Sequence, residues 1–118
     1  MKQFDPKQLG FFTGTTAYHL HASRVVLTDG AKYVAEHAEA YWLMDAIGSY
    51  LPPLVNREHF VVASLAVKNQ SALLWLTDGN YKDIASQRIP YTDFPMPDIT
   101  LFACWSDDCW VLMLPTEY

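Results

Sequence analysis

Leu27-Thr28-Asp29-Gly30-Ala31-Lys32-Tyr33-Val34-Ala35-Glu36-His37-Ala38-Glu39-Ala40-Tyr41-Trp42-Leu43-Met44-Asp45-Ala46-Ile47-Gly48-Ser49-Tyr50-Leu51 is the stretch that decides the fold. Thr28 or Asp29 offers an oxygen to the free amides of a first helical turn. Pro52-Pro53 closes the far end, because neither proline donates a backbone hydrogen bond and the first turns Leu51 away from helical geometry. One long α-helix over 30–51 is therefore predicted. At about 100° per residue, Val34, Ala38, Tyr41 and Trp42 form one stripe, with Asp45 in its middle. A carboxylate placed there must find donors, take up a proton or sit in a cleft.

Working outward, Thr15 to His21 alternates as a strand, with Tyr18 and Leu20 pointing inward and His19 and His21 on a solvated face. Arg24-Val25-Val26-Leu27-Thr28 is a second β-branched run, stopped by Asp29-Gly30. The second half is β-rich. Phe60 to Val67 alternates, Lys68-Asn69-Gln70-Ser71 turns the chain, and Ala72 to Thr77 returns. Asp78-Gly79-Asn80 suits a hairpin turn, since Gly and Asn tolerate positive φ. Gln87 to Tyr91 reads as a short edge strand ahead of an extended Asp93-Phe94-Pro95-Met96-Pro97 loop.

Ile99 to Trp105 and Cys109 to Leu114 form a closing hairpin about Asp107-Asp108, which sets Trp105 opposite Trp110 and Cys104 opposite Val111. This hairpin is apolar on both faces. It therefore lies centrally with cover on both sides, or it leaves a patch for a partner or a second copy. The predicted architecture is a single α+β domain over 1–118, an antiparallel sheet of about five or six strands packed against the helix 30–51.

Composition bounds the function. Of 118 residues, 51% are hydrophobic and 14% aromatic, so a packed core is expected. No apolar run approaches the roughly 20 residues of a membrane span, and Met1-Lys2-Gln3-Phe4-Asp5-Pro6 does not read as a signal peptide. A cytoplasmic protein is expected. Residues 1–37 carry a balance of +1 and residues 38–118 of −6, giving the net −5. An acidic chain without a basic stripe lacks the electrostatic footprint of a nucleic-acid binder. Cys104 and Cys109 would be diagonal neighbours roughly 7–8 Å apart at Cα, too far for an unstrained bridge, and they read as reduced.

Asp45 leads the candidate binding residues. Desolvated beside Tyr41, Trp42 and Met44, its carboxyl would have a raised pKa and could serve as an acid or base, or it could simply fix a helix by accepting backbone bonds. His19 and His21 share a strand face with chelating spacing, but their polar neighbours favour a solvated face, and neither a metal nor a cofactor is expected. No nucleophile motif is present, so no catalytic residue is assigned. Phe11-Phe12 within a glycine-spaced segment, and Tyr91-Thr92-Asp93-Phe94-Pro95, read as aromatic recognition loops. This adds Phe11, Phe12, Tyr91, Asp93 and Phe94 to Asp45, Tyr41 and Trp42 as candidates for ligand or partner binding.

Phe12-Thr13-Gly14-Thr15, Leu27-Thr28-Asp29-Gly30, Ala40-Tyr41-Trp42-Leu43-Met44-Asp45-Ala46-Ile47, Tyr91-Thr92-Asp93-Phe94-Pro95 and the Leu114-Pro115-Thr116-Glu117-Tyr118 ending together resemble a family of small uncharacterised proteins of bacteria, plasmids and phages. The resemblance spans nearly the whole chain and implies no named activity. By analogy it raises the expectation of a mobile-element accessory protein that inhibits a host machine such as a defence component. Three functions are thus weighed: a non-enzymatic module binding a host protein or its own copy, a small-ligand binder with a pocket near Asp45, and a small hydrolase using Asp45 with a histidine.

Overall fold

The computed structural model describes residues 3–80 and 82–118. Its strands are β1 (His19–Ala22), β2 (Val25–Leu27), β3 (Phe60–Lys68), β4 (Ser71–Thr77), β5 (Asp83–Ile89), β6 (Asp98–Ser106) and β7 (Cys109–Met113). They form one seven-stranded sheet in the order β1-β2-β7-β6-β3-β4-β5. Every neighbouring pair is antiparallel except β2 and β7, which run parallel. The expected antiparallel sheet of five or six strands is therefore corrected to a mixed sheet of seven. The parallel pairing arises because the chain leaves β2 for the helices and β3–β6 before β7 returns alongside it.

The hairpins follow the local reading. Lys68 pairs with Ser71 across a two-residue turn in which Asn69 (φ 52°) and Gln70 (φ 63°) are both left-handed. Trp105 faces Trp110 and Cys104 faces Val111.

The expected long helix over 30–51 does not form. Two short helices, α1 (Asp29–His37) and α2 (Tyr41–Tyr50), replace it. Glu39 adopts a left-handed φ of 52°, and the Ala40 amide donates to the Ala35 carbonyl at 2.9 Å, five residues back. This is a Schellman closure, whose left-handed position glycine usually fills. Placing Glu there costs about 1–2 kcal/mol. The change of direction offsets that cost by rephasing the second helix. Ala40, Leu43, Met44, Ile47 and Leu51 become fully buried, and Tyr41 and Asp45 turn outward. Thr28 caps α1 as expected, its Oγ accepting from the Ala31 amide at 3.2 Å.

Both helices pack on one face of the sheet. Leu27, Leu112, Ala103 and Val61 stand side by side across β2, β7, β6 and β3, all buried in one core with Ala31, Val34, Leu43 and Met44. The same registers put Leu20, Val26, Val111, Cys104 and Phe60 in a row on the other face, with Met113, Phe102 and Val62 beside them. This outer face is the one opposite α1 and α2. Phe60, Phe102 and Tyr118 form a cluster of edge-on rings there, with centroids 5.0–5.6 Å apart.

Candidate functional site

Two histidine–aspartate contacts tie the edge strand β1 to the helices. His19 Nε2 lies 2.8 Å from Oδ1 of Asp29, and His21 Nε2 lies 2.7 Å from Oδ1 of Asp45. The expected face of this strand is inverted: His19 and His21 point to the helix side, and Leu20 is 81% exposed, with Tyr18 also open to solvent. The alternation is present as read, but carboxylates at the start of α1 and along α2 draw the imidazoles inward. An edge position lets Leu20 remain outside.

Asp29 is the better-held of the two acids. Thr16 donates to Oδ2 through both its amide and its hydroxyl at 2.9 Å, and the Asp29 amide donates to Thr15 Oγ1 at 2.9 Å. The His19 contact, with the Thr16 bonds behind it, holds the carboxyl well below the usual carboxylate range. A carboxyl depressed in the folded state adds stability above its unfolded pKa of about 3.9. That stability is lost as pH falls from there through the depressed folded value. The melting temperature of the wild type should therefore fall further than that of Asp29→Asn between about pH 5 and pH 2, followed by thermal unfolding. Parallel curves would show that Asp29 carries no linkage.

The burial expected of Asp45 is overturned, since its side chain is 69% exposed. The helix break at Glu39 moves it off the apolar stripe. It does meet a histidine, and the His21 ring stacks on Tyr41 with centroids 5.8 Å apart and planes 16° apart. A carboxylate facing Nε2 favours the ring form that carries a proton there.

The other candidates do not join this cluster in one site. Trp42 and Phe12 are half-buried against the core, and Phe12 also packs on Tyr33 at 5.5 Å. Phe94, expected on an exposed loop, is buried in the core, and buried Thr92 accepts the Phe94 amide at 3.1 Å. Phe11 and Tyr91 are exposed. Asp93 lines an open hollow of about 580 Å³ with Phe4, Asp5, His37 and Glu39. Among the described residues no group of three or more His, Cys, Asp or Glu side chains could hold a metal ion, and no helix is long and apolar enough to cross a membrane. Cys104 and Cys109 are free thiols; burial pushes both upward in pKa, and Asp108 adds to this at Cys109.

Glu117 carries a role the sequence reading missed. Its carboxylate accepts from Thr28 Oγ1 at 2.6 Å, the Gly30 amide at 3.0 Å and the Leu114 amide at 2.9 Å. The negative charge sits at the positive start of α1. Thr-Asp-Gly and the C-terminal segment are thus one latch, joined across 87 residues. Local pattern carries no signal for so distant a pairing.

The outer sheet face carries a row of apolar side chains. Leu20 (81%) and Leu73 (46%) stand exposed on it, while Val26, Val62, Phe60, Phe102, Met113 and Trp75 are partly covered. Its charged side chains lie towards the strand ends, Asp98 opposite Ala66 and Arg88 opposite Leu73 at one end and Asp83 opposite Thr77 at the other. Helices on one side of the sheet and a largely apolar face on the other give the protein two layers. The chain belongs to the family of unknown function DUF6876, whose model matches residues 4–118. No curated protein and no solved structure gives a match.

Proposed function

We propose that this protein is a non-enzymatic binding module that docks a partner protein on the outer face of its sheet. The carrying observation is the apolar row Leu20, Val26, Cys104 and Phe60, with Val111 buried within it and Met113, Phe102 and Val62 beside it, on the face opposite α1 and α2. Contiguous apolar surface of this kind marks docking sites, and charge is depleted at the centre of such surfaces. The partner is then a protein with a broad apolar patch of its own. The test is native mass spectrometry of the protein captured from its own cells, with Leu20→Glu/Leu73→Glu as the comparison. Both positions are exposed, so the fold should survive. A stoichiometric partner lost in the double variant supports the reading, and a partner retained by it, or no added mass at all, overturns it.

A second reading has one observation behind it, the 2.7 Å contact of His21 and Asp45. A hydrolase using that pair would lose activity in Asp45→Asn while the outer-face variant kept it.

A further inference from the structure

The sheet has two edges, and they are treated differently. β1 is four residues long, carries a bulge between Leu20 and Ala22, and is tied to the helices by its two histidines. A short edge tied down to neighbouring elements resists pairing with other strands. β5 is seven residues long with no proline or lysine within it. Its register shifts at its start, where Leu76 pairs with Ala85 and Thr77 with Asp83, which puts Asp83 on the same face as Ser86 and Arg88. Asp83, Ser86, Gln87 and Arg88 are exposed. One side of β5 pairs with β4, and the other faces away from the sheet.

We propose that β5 is a self-association edge, pairing antiparallel with β5 of a second copy about a two-fold axis. The argument is charge complementarity. β5 begins with Asp83 and carries Arg88 near its end, five residues on, or about 17 Å along an extended strand. In an antiparallel pair related by a two-fold, the acidic start of each strand meets the basic end of the other, so the attraction occurs twice. Parallel pairing would instead put like charges side by side, which is unfavourable. Lys82 does not cancel the acidic start, because its amine turns to Glu58 at 3.9 Å.

The surface behind the edge suits the same arrangement. Two shallow hollows of about 410 and 440 Å³ share Leu73 as a wall, one reaching Asp83 and Trp75, the other reaching Arg88 and Ala66. Pairing at β5 makes one fourteen-stranded sheet and leaves both outer faces on the same side. The inference stands apart from the outer-face reading, since it concerns the pure protein and the backbone edge of β5, although the hollows beside that edge share Leu73 and Trp75 with the outer face.

The test is sedimentation of the purified protein at low and high concentration, with three variants at exposed positions. The wild type should show a concentration-dependent dimer. Arg88→Asp alone and Asp83→Arg alone should each yield a monomer, because each places like charges at both ends of the seam. The double swap Asp83→Arg/Arg88→Asp should restore the dimer. A wild type that stays monomeric at every concentration overturns the proposal. So does a dimer that ignores the single swaps, or one that Leu20→Glu/Leu73→Glu dissolves while the swaps leave it intact.

Discussion

Trp110→Ala is expected to destabilise the protein by about 3–5 kcal/mol, lowering the melting temperature by on the order of 15 °C. Trp110 is 1% exposed and lies between Val25 on β2 and Trp105 on β6, at the junction of the parallel and antiparallel parts of the sheet. Its ring meets that of Trp105 with centroids 5.6 Å apart. Removing it leaves a cavity beneath the helices that a strand fixed on both sides cannot close. The indole nitrogen adds a second term. Trp110 Nε1 is buried without a hydrogen-bond partner among the described residues, and a buried unpaired donor is itself unfavourable. Trp110→Phe removes that donor along with part of the volume, so its net cost should stay within about 1.5 kcal/mol. Urea denaturation of the two variants reads the difference. If Phe costs as much as Ala, the indole nitrogen is not a liability and the argument from the unpaired donor fails.

What the sequence made legible was local. The Trp105–Trp110 register follows from two acidic turn residues between alternating runs, and the cap at Thr28 from its hydroxyl ahead of an apolar helix. The helix break was hidden because Glu39 occupies a position that glycine normally announces. From that one residue the errors propagate. With α1 and α2 read as continuous, Asp45 falls on the apolar stripe; with α2 rephased, Met44 takes the core and Asp45 the solvent. The inversion of β1 has a different cause. Tyr18 and Leu20 are the apolar members of that alternation, but the inward side of an edge strand under helix termini is where carboxylates wait, and the histidines answer them. The candidate site was legible in part: Asp45 and Tyr41 do come together, around His21, which had been assigned to the solvated face.

The latch between Thr28, Gly30 and Glu117 yields the second large effect. Gly30→Ala should destabilise the protein by about 2 kcal/mol or more, against the direction of helix propensity. Within α1, alanine is ordinarily better than glycine by about 1 kcal/mol. Here an added Cβ would stand 2.5 Å from Glu117 Oε1 and 2.7 Å from Leu114 Cδ1. Side-chain ends usually yield cheaply, but this carboxylate is held by three donors and Leu114 is buried. Moving Glu117 loosens the Thr28, Gly30 and Leu114 bonds together, and bonds to a charged group are worth about 1.5–3 kcal/mol each. The clash has a specific author in Glu117, which makes the mechanism separable from a general intolerance of bulk. In a Glu117→Ala background the latch is already lost, so adding Gly30→Ala should cost much less than it does in the wild type, with Leu114 supplying the remainder. A double-mutant cycle by denaturant titration measures that coupling. Additive costs would mean that Gly30 is required for some reason other than room for Glu117, and the C-terminal segment would then be a passenger on the start of α1 and not its anchor.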